Sequence, residues 1–256
     1  MRLAVLGDPV AHSLSPALHC AALRSVGLEG TYVARRVDAG GMVRALHEIR
    51  SGALDGANVT MPHKQLAAKL VDRASTVVTR AGAVNTITRV EDEAVGHNTD
   101  VAGVRYAAQT CGLPDAPVLI LGAGGAAAAA ALAYENGPIR FSARRTGAAH
   151  ELVSSLQIDA AVVVWGTPAP GSLLINATAL GMHGEPLPFE DLTVFAGLLD
   201  MPYASGSTPA SVTMRAAGLP VAEGPDMLLG QAIASFRLWT GRSPDGNAMR
   251  SAMEAA

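Results

Sequence analysis

Val118-Leu119-Ile120-Leu121-Gly122-Ala123-Gly124-Gly125-Ala126-Ala127 is the stretch on which the fold turns. Four apolar residues of strand length stop at a glycine cluster and run straight into an alanine-rich helical segment. That is the order of a strand-to-helix turn built to hold a pyrophosphate. Gly122 allows the tight turn and Gly124 lets backbone come close to the anion. Ala127, small at the third position of the pattern, lets helix and sheet approach. The helix start leaves unpaired N–H groups facing the same point. A glycine-lubricated turn with no ligand is the plainer alternative.

The chain about 20 residues further on separates these two, because there this fold places the side chain that inspects the adenosine ribose. After the strand-like residues 139–141 comes Ser142-Ala143-Arg144-Arg145-Thr146, with no Asp or Glu to accept a bond from a free 2′-hydroxyl. Two guanidinium groups stand there instead. Their planar forks of donors suit a 2′-phosphate and predict NADP rather than NAD.

At 256 residues the chain is near the size where one core gives way to two. Its 49% hydrophobic and 16% charged residues describe a globular protein, not a disordered one. A net charge of −3 with no long basic run argues against nucleic acid or a membrane surface as partner and leaves small molecules. Cys20 and Cys111 lie far apart without metal-ligand or redox spacing and read as small buried hydrophobes. The early turn at Gly7-Asp8-Pro9 leaves no room for a signal-peptide core, and no apolar run reaches transmembrane length, so a cytoplasmic protein is expected.

The fold class that follows is α/β. An N-terminal α/β domain with a mostly parallel sheet spans residues 1–100 and binds substrate. A Rossmann dinucleotide-binding domain spans 101–225, and C-terminal helices in 226–256 return to the first domain. Within the second domain, the linker Gly112-Leu113-Pro114-Asp115-Ala116 marks the boundary before the Rossmann strands, expected at 118–121, 139–141, 161–164, 173–175, 196–199 and 220–222.

In the first domain, strand-like residues 3–6 lead to His12-Ser13-Leu14-Ser15-Pro16. Ser15 before Pro16 has the order of an N-cap and first helical residue. Ser13 and Ser15 also set two hydroxyls beside a helix start, where a carboxylate could be held. The strand 56–59 delivers Thr60-Met61-Pro62-His63-Lys64 at its C-terminal end, so Asn58, Thr60 and Lys64 project toward the edge where open parallel sheets bind ligands. Lys64 alone is as well read as a surface lysine. Asn85 stands inside an apolar stretch, and Glu91-Asp92-Glu93 turns a hairpin before Asn98-Thr99-Asp100. Asp100 reads as an N-cap or as a carboxylate placed to polarise Lys64. Further on, Asn176-Ala177-Thr178 and Asp200-Met201-Pro202-Tyr203 follow strands at the same kind of edge, where Tyr203 either packs or closes the cleft. Gln231 is the one amide in the first turns of a long apolar helix.

Taken together these residues resemble the shikimate dehydrogenase family from end to end. The likeness is carried by Gly7, Pro9 and His12 to Pro16; by Asn58-Val59-Thr60-Met61-Pro62-His63-Lys64; by Ala83-Val84-Asn85-Thr86 and Asn98-Thr99-Asp100; and by Gly122 to Gly125, Arg145-Thr146, Asn176-Ala177-Thr178, Asp200 to Tyr203 and Met227 to Gln231. The resemblance implies NADPH-dependent reduction of 3-dehydroshikimate to shikimate in aromatic amino acid biosynthesis. It implies Lys64 and Asp100 as the catalytic pair, Ser13 and Ser15 on the substrate carboxylate, and Asn58, Thr60, Asn85, Asp100 and Gln231 on ring hydroxyls, with Tyr203 beside them. It gives NADP to Gly122, Ala123, Gly124, Gly125, Ala126, Arg144, Arg145, Thr146, Thr178 and Gly224. A homodimer is left open, and no metal is implied.

Ala179 stands where the family has serine, Cys20 where asparagine is frequent, Arg144 where asparagine is frequent, and Asp226 where glycine is frequent. Arg144 adds charge at the 2′-phosphate, whereas Asp226 puts a carboxylate at the nicotinamide end. The rivals are an NAD-dependent quinate/shikimate dehydrogenase and a catalytically silent NADP-binding sensor of the same fold.

Overall fold

The computed structural model describes residues 1–202 and 206–256. They form two compact units, Met1–Thr99 with Gln231–Ala256, and Asp100–Gly230.

The first unit runs β1 (Arg2–Gly7), α1 (Ser15–Ser25), β2 (Thr31–Arg36), α2 (Ala39–Arg50), β3 (Gly56–Val59), α3 (Lys64–Leu70), β4 (Arg73–Ala74), α4 (Thr76–Ala81), β5 (Thr86–Val90) and β6 (Glu93–His97). Its sheet has the order β2-β1-β3-β5-β6-β4. β1 pairs in parallel with β2 and β3, and β5 joins β3 and β6 antiparallel. The β5–β6 hairpin is the one expected at Glu91-Asp92-Glu93, with Glu91 in the left-handed region at φ 57°. Asp38 caps α2 through Gly41 N at 2.7 Å, and Met42, Leu46 and Ile49 on one face of that helix join Leu6, Ala57 and Ile87 of the strands and Val84 of the loop before β5 in a sealed core.

One expectation fails at α1. Leu18 N donates to Leu14 O, so the helix starts a residue earlier than the Ser-Pro order suggests: Leu14 is the N-cap and Ser15 is the first helical residue. Ser13 Oγ, not Ser15, takes a helix-start N–H, that of Ser15 at 3.3 Å.

The second unit runs α5 (Asp100–Thr110), β7 (Val118–Leu121), α6 (Gly125–Ala133), β8 (Ile139–Ser142), α7 (Thr146–Leu156), β9 (Ala160–Val163), β10 (Leu173–Asn176), β11 (Gly197–Asp200), α8 (Pro209–Ala216) and β12 (Val221–Glu223). The six strands are parallel throughout in the order β12-β11-β10-β7-β8-β9. The chain winds outward from β7 in one direction and from β10 in the other, so the crevice between those strands is the switch point where doubly wound sheets take ligands. Ala127 to Leu132 of α6 are all buried, as small side chains on a helix pressed against its neighbours must be. α5 packs on α6 within the second unit, which begins at Asp100.

The boundary at the other end falls inside α9 (Gly224–Thr240), and α10 (Gly246–Glu254) packs against α1. α10 is capped by Asp245, which accepts from Asn247 N and Ala248 N. Among the described residues no helix is long and apolar enough to cross a membrane. Cys20, within α1, and Cys111, just past the end of α5, are half-buried rather than sealed in a core.

Candidate functional site

The second unit carries an open pocket of about 510 Å³ lined by Gly122, Ala123, Gly124, Arg144, Arg145 and Thr178, together with Ala143, Ala148, Trp165, Ala177 and Ala179. Gly122 has φ +106°, and a Cβ there would lie 3.0 Å from Ala177 O, so the turn between β7 and α6 admits glycine alone. At Gly124, the N-cap of α6, a Cβ would meet nothing within 4 Å: the backbone faces open space at the helix start. Both Arg144 and Arg145 are exposed at the end of β8. These features fit a pyrophosphate over the turn and a 2′-phosphate at the guanidinium groups.

Four residues expected at the cofactor are not among those lining this pocket. Gly125 and Ala126 sit inside the first turn of α6, Thr146 opens α7, and Gly224 is buried at the start of α9. Thr178 lines the pocket, and its hydroxyl donates to Asn176 Oδ1 at 2.7 Å and accepts from Leu180 N at 3.0 Å. Asn176 also donates to Asp200 Oδ1 at 2.7 Å, and the buried Asp200 carboxylate receives the hydroxyls of Thr208 and Ser211. Burial pushes Asp200 above its usual range while those bonds oppose the shift. Both family-pattern residues are thus braces for β10 and β11. Tyr203 lies outside the described residues.

In the first unit a floor of polar side chains forms where β3 ends, β5 begins and β6 ends, the carboxyl edge of the β1–β3 layer. Asn58 donates to Asn85 O, Thr86 Oγ1 and Ser235 Oγ at 3.0–3.1 Å and accepts the Tyr32 phenol at 2.6 Å. Asn85 takes Thr99 N on its Oδ1 at 2.7 Å, and Gln231 Oε1 faces Asn85 and Thr99 at 3.5 and 3.4 Å. Burial holds the Tyr32 phenol well above its usual range, so it remains a donor. The amides of Asn58 and Asn85 are therefore builders of the floor, which limits what either can offer a ligand. Thr86, Thr99 and Ser235, which the sequence reading did not assign to the site, hold it together; Ser235 follows Gln231 by one helical turn, the only local sign of it.

Lys64 is half-buried at the start of α3, and its carbonyl accepts Val84 N at 2.9 Å, which ties that helix start to the residue before Asn85. Asp100 opens α5 directly after Thr99, the residue anchored on Asn85. Thr60 N donates to Leu6 O, and His63 Nε2 bonds Val37 O at 2.7 Å, which makes His63 structural. Ser15 is buried beside half-buried Ser13 at the start of α1.

Residues 5–87 match the shikimate dehydrogenase substrate binding domain, and residues 224–254 match the shikimate 5′-dehydrogenase C-terminal domain. The shikimate dehydrogenase (NADP(+)) of Thermus thermophilus is 37% identical across 100% of this chain and 98% of its own length. The chain belongs to the shikimate dehydrogenase family. Another relative within the family, the shikimate dehydrogenase (NADP(+)) of an Anaeromyxobacter species, is 38% identical over 98% of this chain and 95% of that protein. The crystal structure of the Thermus thermophilus shikimate 5-dehydrogenase with NADP(H) and shikimate superposes with a TM-score of 0.89 over 100% of this chain and 99% of that one. Among the positions where this chain departs from the family pattern, Asp226 accepts Glu223 N at 3.0 Å and so serves the entry into α9.

Proposed function

We propose that the chain reduces 3-dehydroshikimate to shikimate with NADPH, Lys64 and Asp100 acting as the acid–base pair. The observation that carries this is the pocket of the second unit, in which a glycine turn with open space before it and two exposed arginines stand together. The full-length relatives named shikimate dehydrogenase (NADP(+)) support it. Gly122, Ala123, Gly124, Arg144 and Arg145 would hold the cofactor, with Gly125, Ala126, Thr146, Thr178 and Gly224 around them. NADPH, when bound, supplies the hydride.

The protein supplies the rest. Negative charge gathers on the ketone oxygen during reduction, and the Lys64 ammonium stabilises it and delivers the proton. The Asp100 carboxylate is the other member of the acid–base pair. Ser13 and Ser15, beside the N–H groups at the start of α1, take the substrate carboxylate. Thr60, Gln231 and the rims of Asn58 and Asn85 sort the ring hydroxyls. A lining of hydroxyls and amides rejects analogues that lack matching groups.

Residence in the cytoplasm belongs to this proposal; Cys20 and Cys111 are both thiols, the state a reducing compartment keeps. So does a homodimer, which sedimentation velocity tests. The enzymatic test is the rate of each cofactor with each substrate. NADPH is consumed with 3-dehydroshikimate far faster than NADH, and NADP is reduced by shikimate but not by quinate. Preference for NAD with quinate would overturn the substrate and cofactor together, and NADPH binding without turnover would make the chain a sensor.

A further inference from the structure

β9 ends at Val163, and residues 164–167 make a tight turn closed by Thr167 N on Val164 O at 3.0 Å, with Gly166 at φ +78° in its third place. Trp165 occupies the second place of that turn. Ser142, fully buried at the end of β8, fixes the residues on both sides of it: its hydroxyl donates to Val164 O at 3.3 Å and accepts Gly166 N at 3.1 Å. One side of the indole packs on the apolar cluster that includes Leu119, Leu121 and Phe195. Trp165 also lines the pocket with Ala143, Arg144, Arg145 and Ala148, and among the described residues that line it Trp165 alone is aromatic. An indole pinned at its backbone, backed by core and fronted by a cavity lined with alanines is a built flat wall.

The chemistry of the ligand says what meets that wall. In NADP the 2′-phosphate and the adenine ring are attached to adjacent carbons of one ribose, so arginines that hold the phosphate put the base within a few ångströms of themselves. We infer that Trp165 is the stacking wall for the adenine of NADP, the base lying between the indole and a guanidinium of the Arg144–Arg145 pair. The inference rests on NADP being the cofactor. It assigns Trp165 to affinity for the adenosine half and not to the chemistry.

Adenosine 2′,5′-bisphosphate, which carries the base and the 2′-phosphate without nicotinamide, is the probe. The chain has two tryptophans, and Trp239 belongs to the first unit, so fluorescence reports Trp165 once the Trp165→Leu spectrum is subtracted. Expected results are quenching of the Trp165 emission by the bisphosphate, and a roughly tenfold weaker dissociation constant for it and for NADP in Trp165→Leu by calorimetry. Trp165→Phe keeps most of the affinity, and in both variants KM for NADPH moves while kcat does not. Leucine keeps the apolar backing, so a melting temperature near that of the parent shows that the turn is intact. Parent protein that binds NADP without quenching, or Trp165→Leu that binds it as tightly as the parent, overturns the stacking role and leaves the cofactor assignment standing. Parent protein that does not bind NADP overturns both.

Discussion

The phenol of Tyr32 donates to Oδ1 of Asn58 at 2.6 Å, in a place where both side chains are buried. The Asn58 amide nitrogen lies within hydrogen-bond distance of three acceptors, so one β3 side chain meets polar groups of β2, of β5 and the residue before it, and of α9. Replacing it by leucine leaves several of them sealed without a partner. Asn58→Leu is expected to cost about 3 kcal/mol in urea unfolding, against about 1 kcal/mol for Tyr32→Phe, which removes one donor. A loss under about 1 kcal/mol for Asn58→Leu would show that the floor repacks.

His19 stacks on Tyr32 at 4.4 Å and meets the edge of Trp239 at 5.1 Å, and neither ring nitrogen reaches a hydrogen-bond partner among the described residues. Burial pulls its pKa down to about 3 from 6.5. Between these values the unfolded chain binds a proton that the folded one refuses, so stability falls as pH drops below 6.5. The slope is at most about 1.4 kcal/mol per pH unit, or about 2 kcal/mol by pH 5. Burial lowers His97 as well, with the same sign. Urea melts at pH 7 and pH 5 check this: His19→Phe keeps the stack and should show a clearly smaller drop than the parent. Equal drops would remove His19 as the cause.

Gly122 and Gly124 are expected to fail in different ways. Gly122→Ala combines positive φ with a close approach to Ala177 O, and should lose about 1–3 kcal/mol of stability as well as cofactor binding. Gly124→Ala enters empty space, so it should melt close to the parent while raising KM for NADPH. Thermal melts beside steady-state kinetics distinguish them, and the same pattern in both variants would deny Gly124 its place under the pyrophosphate.

Arg144→Ala with Arg145→Ala removes the charge offered to the 2′-phosphate. KM for NADPH should rise roughly 10- to 100-fold and KM for NADH should stay where it is. Equal changes for both cofactors would mean that the arginines act on the pocket's shape and not on the phosphate.

What the chain disclosed of itself was its local chemistry. The run from Val118 to Ala127 was legible because strand, turn and helix are contiguous and each residue type matches its place. Of the edge residues, Asn58 stands inside the short strand 56–59, and Thr60 and Lys64 follow it. Ser15 misled because Ser-Pro fits two helix starts, and the bond from Leu18 N to Leu14 O that chooses between them leaves no mark on composition. Ser235 and Thr86 are 149 positions apart, and no periodicity links them. Trp165 escaped notice because β9 stops one residue before the expected end, which turns Val164-Trp165-Gly166 from strand tail into a turn.

In the proposed reaction the Lys64 ammonium does the proton work of the reduction. Single-turnover and steady-state rates of Lys64→Ala, taken with calorimetric binding of NADPH, test it most directly. The expected result is a roughly 10²- to 10⁴-fold loss of kcat with NADPH affinity unchanged. A variant that turns over within a few-fold of the parent would contradict it.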